Sequence, residues 1–236
     1  MDTEYKEFLS NIAEVELFSR QVKSSADKEF ESMAKNHQSL IENGLEQHSS
    51  SLHNMSFRSL TNGESIFYDH MALDYERRVK DLISRRNKHY LWLLAEAFEH
   101  FEDLVELMYA HIGHKEPSAW PTKETKGETF ASLRAKPFEW FRQKSESNKK
   151  LSTKLECIRK RFPELAAIEK SNYFGIDFRF TICLIEMLRH IVVHNGGQVF
   201  DFRKFVDRTF KEVGMANNGN YDPLKLQQIN INPAIK

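Results

Sequence analysis

The segment Arg189-His190-Ile191-Val192-Val193-His194-Asn195 gathers a guanidinium, two imidazoles and a carboxamide within seven residues. An imidazole exchanges a proton near neutral pH. A guanidinium holds two phosphate oxygens at once. Together they offer acid–base transfer beside an anion clamp. At about 100° per residue, His190 and His194 are neighbours one helical turn apart, whereas Arg189 and His194 differ by about 140°. The long arginine side chain can still swing toward a cleft at the helix end, and a two-fold axis could bring the same groups of two copies together. Such polar groups cannot be buried without partners, because each would cost ~2–7 kcal/mol on transfer scales. They are expected to border solvent, a partner or a ligand. The C-terminal end of a helix is the negative end of its dipole. It gives no help with a phosphate and favours a protonated histidine.

Other residues compete for a role. His190 and His194 are four apart, as zinc ligands can be, but the Glu of H-E-x-x-H and a third ligand are missing. No metal and no cofactor is therefore assigned. His111 and His114 near a helix end read as solvent-facing. Glu99 and Asp103, four apart on an aromatic helix, could pair with Arg189 or line a solvated face. Arg77-Arg78, Arg85-Arg86-Asn87-Lys88 and Arg159-Lys160-Arg161 could guide RNA, or be hydrated helix faces. Trp92, Phe98 and Phe101 read as core packing before any base-stacking platform.

The elements that position these groups are helical. Residues 1–43 lack Gly and Pro, and Tyr5, Phe8, Leu9, Ile12, Val15, Phe18 and Val22 recur at helical spacing. Sparser apolar anchors after Ser24 suggest a helix that projects past the core or pairs with another copy. Gln47–Ser51 and Thr61-Asn62-Gly63 are turn chemistry. A second long helix is expected from near Gly63, strongest over Tyr90–Ile112, with Gly113 as its stop. Further helices are expected over Phe130–Lys136, Pro137–Lys144, Lys149–Arg161, Pro163–Lys170, Ile176–His194 and Phe200–Val213. Asn195-Gly196-Gly197 closes the Ile176–His194 segment. No strand-type alternation persists, so the fold class is all-α. The expected organisation is an N-terminal helical extension (1–62), a helical core (63–213) and a loose polar tail (214–236).

Bulk properties bound the function. Lys plus Arg and Asp plus Glu are both 34, so any nucleic-acid contact must come from a local patch. Cys157 and Cys183 form no C-x-x-C pair, and Cys183 lies in an apolar run, which favours a reducing, cytoplasmic setting without a disulfide framework. The acidic start Met1-Asp2-Thr3-Glu4 is unlike a signal peptide, and no apolar run reaches the ~20 residues that span a membrane.

Arg189-His190-Ile191-Val192-Val193-His194 resembles the R-x4-6-H signature of the HEPN superfamily (higher eukaryotes and prokaryotes nucleotide-binding domains). His190 stands where that pattern often has a polar residue. Asn195-Gly196 and the aromatic helix around Phe98-Glu99 are also similar to such domains. The resemblance spans Arg86–Val213, but its specific part is six residues. It implies a helical bundle that dimerises with its motifs facing each other. It further implies a metal-independent endoribonuclease of the toxin–antitoxin or antiviral-defence kind, with RNA as substrate and an antitoxin or other regulatory protein as partner. In that mechanism His194 promotes attack of a ribose 2′-OH on the adjacent phosphate, Arg189 stabilises the phosphorane, and His190 and Asn195 orient the site. Glu99, as a possible partner of Arg189, is counted with the supporting residues. Other members serve as non-catalytic interaction or nucleotide-binding modules, so fold does not settle activity.

Overall fold

The computed structural model describes residues 2–45, 51–121, 124–147, 150–195, 199 and 201–215. Gln47–Ser50, Gly196-Gly197 and the tail after Met215 lie outside the described residues, as does the side chain of Asn195. Helices α1 (Asp2–Glu42) and α2 (Tyr75–Lys115) flank a hairpin of β1 (Ser51–Arg58) and β2 (Ser65–Leu73). A 3-10 turn (Pro117–Ala119) follows, then α3 (Phe130–Ala135), α4 (Phe138–Ser147), α5 (Leu151–Arg161), α6 (Pro163–Lys170), α7 (Phe178–Asn195) and α8 (Phe202–Glu212). Among the described residues the chain is thus all-α apart from one small two-stranded sheet.

It divides into two compact units, residues 1–16 with 91–236, and residues 17–90. The division falls within α1 and α2 rather than after residue 62, because each long helix contributes to both packing groups. In the unit of residues 17–90, Ala26 and Met33 of α1 bury against Leu82 of α2, with Tyr75 and Val79 beside them. His37 stacks on Tyr75 at 4.0 Å between ring centroids, and Arg85 pairs with Glu29 at 2.7 Å.

The hairpin overturns two expectations: that strands are absent, and that the second long helix starts near Gly63. Gly63 takes φ 72° and donates its N–H to the Ser59 carbonyl at 2.9 Å. That left-handed conformation suits glycine in a reversal. Ile66, Phe67 and Tyr68 then run consecutively with high strand propensity. Asp74 ends the strand and caps α2 by accepting the Arg77 N–H at 2.7 Å. The sequence lacks alternation here because Ile66–His70 are exposed throughout, leaving no buried face to impose a period of two. The sheet edge is blunted locally. Met55 pairs with Asp69 but Ser56 with Phe67, so Tyr68 bulges, and the His70 N–H is taken by its neighbour Asp69 at 2.8 Å.

In the larger unit, one core joins Phe98, Val105 and Tyr109 of α2 to Trp120, Phe141 of α4, and Leu155 and Ile158 of α5. A second joins Phe180, Leu184 and Leu188 of α7 to Phe205, Val206 and Phe210 of α8. Caps place these helices. Asp177 accepts the Phe180 N–H at 2.9 Å, and Asp201 accepts the Lys204 N–H at 2.9 Å. Lys154 of α5 is buried and pairs with Glu106, whose carbonyl accepts the Ser145 hydroxyl at 2.8 Å. Such a pair needs its extra hydrogen bonds to offset desolvation.

Gly113 does not stop α2, which runs on to Lys115. Its role is contact: a β-carbon there would overlap the Trp120 indole. Trp120 stacks on Tyr109 at 4.6 Å and donates its indole N–H to the Tyr109 carbonyl at 2.8 Å. An alanine at an exposed helical glycine gains about 1 kcal/mol. Here Gly113→Ala is expected to lose about 1–3 kcal/mol through overpacking, read as a lower urea midpoint at unchanged slope. A variant as stable as the wild type would show that the indole does not seat on the glycine.

Candidate functional site

Helix α7 carries Phe180, Leu184, Leu188 and Val192 into its core, so rotation about its axis is set by packing. That rotation leaves His190, Val193 and His194 exposed on the last turns. The imidazole rings of His190 and His194 lie 4.5 Å apart between centroids and are tilted by 51°. Both are open to solvent and to any ligand at this helix end.

Arg189 points to α2. Its Nη2 donates to Glu99 Oε1 at 3.1 Å, and its Nη1 lies 2.9 Å from Glu102 Oε2. Its Nε is buried without a hydrogen-bond partner. Glu99 is therefore brought to Arg189, while Asp103 lines a different cleft. Among the described residues no hydrogen bond or ion pair joins Arg189 to His194. The backbone of Asn195 closes α7.

Glu102 had no distinguishing mark in the sequence. Relative to Glu99 it lies about 60° to one side of the α2 axis, and Asp103 about 40° to the other. Only the placement of α7 selects between them. Burial raises the Glu102 carboxyl above the ordinary carboxylate value, while the Arg189 charge pulls it back. Glu186, one turn before Arg189, is also raised by burial, with the Glu102 charge adding to the effect. One guanidinium thus pairs with two carboxylates.

His111 is not solvent-facing: it stacks on Phe138 at 4.3 Å, its Nε2 is buried without a partner, and burial lowers its pKa. His114 is exposed, edge-on to Phe138 and Phe141. Phe98 is core, Phe101 packs beside it, and Trp92 is exposed rather than packed. Four residues of the basic groups are engaged: Arg77 with Asp81, Arg85 with Glu29, Arg159 with Glu169 and Glu156, and Arg161 with Glu116. Burial pushes the Cys183 thiol up to about 11 and also raises Cys157, so neither is an activated nucleophile. A cleft of about 270 Å³ is lined by Glu4, Glu7, Asp103, Glu106 and Glu146 against Arg142, which pairs with Glu146 at 3.0 Å. That charge repels a phosphodiester. No helix among the described residues is long and apolar enough to cross a membrane.

The raised Glu102 carboxyl carries a pH signature. A group whose folded value exceeds its unfolded value adds stability that is present below the unfolded value and lost as pH rises through the folded one. Glu102→Gln removes that dependence. The melting temperature of the variant relative to wild type is expected to climb as pH rises from about 4.5. A constant difference across the range would show that burial does not govern this carboxyl. No family model, no curated protein and no solved structure matches the chain.

Proposed function

We propose that the chain is a metal-independent endoribonuclease of the HEPN type that works as a homodimer around the C-terminal end of α7. The observation that carries this reading is the pair of solvent-open imidazoles, His190 and His194, one turn apart beside a guanidinium fixed from a second helix. His194 takes the ribose 2′-OH proton as that oxygen attacks the adjacent phosphorus. The P–O5′ bond breaks, the 5′-oxygen takes a proton from water, and a 2′,3′-cyclic phosphate is left. Arg189 stabilises the charged phosphorane, and His190 orients the imidazole of His194. Because both outer nitrogens of Arg189 are engaged, an incoming phosphate must displace a carboxylate. Glu99, the more exposed of the two, is the one that yields. An antitoxin-like protein covering this face would silence the site.

Cleavage of total RNA in excess EDTA tests the reading. His194→Ala is expected to slow cleavage by about 10²–10⁴-fold, the range for removing a general base, and Arg189→Ala is expected to do similarly. Both variants should relieve any growth arrest caused by the wild type. Equal cleavage by all three proteins, or cleavage that EDTA abolishes, would sink the proposal.

The two ion pairs of Arg189 also favour a second reading, in which this end of α7 is structural and the chain is a non-catalytic helical interaction module. There His194→Ala leaves partner binding intact, while substitutions at Phe57 and Tyr68, exposed on the hairpin, abolish it.

A further inference from the structure

Within the unit of residues 17–90, helices α1 and α2 leave a cavity of about 190 Å³ between them. Ala26, Asp27 and Phe30 of α1 line it, with Leu82, Ile83 and Arg86 of α2. On each helix these positions fall within one turn. Ala26 and Leu82 are buried and form the floor, while Phe30 and Ile83, 45% and 43% exposed, form an apolar rim.

The charges at this cavity do not balance. Asp27 is taken by Lys23, whose Nζ lies 2.6 Å from Oδ2. Arg85, the neighbour of Arg86 in the chain, is taken by Glu29 at 2.7 Å. Arg86 itself has no ion pair among the described residues, and its Nε is buried without an acceptor. Its charge is nevertheless close to the Lys23–Asp27 pair: the Asp27 hydrogen bond raises the Lys23 pKa, and Arg86 works against that rise. Two cations thus share one carboxylate. A half-buried donor with no acceptor lacks a hydrogen bond that water would have supplied, and a ligand acceptor restores it.

We propose that this cavity binds a small carboxylate monoanion, with its head on the Arg86 guanidinium and an apolar body of about six to eight carbons against Phe30, Leu82 and Ile83. Size sets the body, since an apolar cavity of about 150 Å³ accepts benzene. Charge sets the head. One cation is in excess, and Asp27 on the wall repels a second negative charge. The planar fork of a guanidinium matches a carboxylate through two parallel hydrogen bonds. The apolar rim is covered only by a ligand that carries apolar surface of its own. The site uses no residue of the α7 end and does not depend on the nuclease reading.

The test is titration of the full, isotope-labelled chain with phenylacetate, followed through its amide resonances. Saturable shifts are expected at residues 26–30 and 82–86. 2-Phenylethanol, the same body without the charge, and acetate, the charge without the body, each bind about tenfold more weakly or worse. Arg86→Gln weakens phenylacetate by about ten- to hundredfold, the range for a hydrogen bond to a charged group, and leaves 2-phenylethanol unchanged. Asp27→Asn tightens phenylacetate by removing the negative charge on the wall, a gain that a folding defect cannot imitate. The proposal is overturned by the absence of saturable shifts at these residues, or by equal affinity for phenylacetate and 2-phenylethanol. Equal affinity of wild type and Arg86→Gln overturns it too. So does inorganic phosphate that matches phenylacetate, because the guanidinium is then a general anion contact with no use for the apolar walls.

Discussion

The guanidinium of Arg189, held between Glu99 and Glu102, is the polar interaction that ties the last turns of α7 to the aromatic helix α2. The arrangement is electrostatically costly. Two carboxylates pair with one cation, and burial raises the Glu102 carboxyl above the ordinary value. A buried or half-buried ion pair recovers its desolvation cost only with good geometry. Arg189 spends both outer nitrogens on that recovery while its Nε is left without a partner.

That tie rests on a scaffold of interlocked aromatics in the larger unit, with Tyr109 and Trp120 stacked and Phe141 edge-on to the indole. Gly113 belongs to this packing rather than to the helix end, because the indole occupies the space a side chain would need. The α7–α8 core then sets the rotation of α7, so the exposed histidines follow from which residues the opposite face buries. Acid–base groups displayed from a packed helix are held more precisely than groups on a loop.

Two surfaces carry apolar residues that the fold does not cover. The hairpin shows Phe57, Phe67 and Tyr68 to solvent, but its bulge and its Asp69–His70 contact blunt the edge. The α6 face has no such device. Its apolar residues sit between an acid at one end and a base at the other, and a buried ion pair behind the helix holds it in place. The contrast separates a strand edge guarded against pairing from a helical face whose apolar residues stay uncovered among the described residues.

Local rules were legible in the amino-acid order wherever burial imposed a period. The helices of residues 130–170 begin and end within a few residues of the expected limits, because Pro163, the apolar spacing and the capping residues act within one or two turns. The clustering of Arg189, His190 and His194 at one helix end was likewise local. The hairpin escaped because both its faces meet water, so hydrophobic alternation had nothing to enforce. Gly113 looked like a stop because its contact, Trp120, comes from a later turn. Glu102 was one of several carboxylates on α2, and no spacing rule prefers it to Asp103. The choice among equivalent turns of a helix depends on what packs against it, and that is a property of the assembled core rather than of the chain read in order.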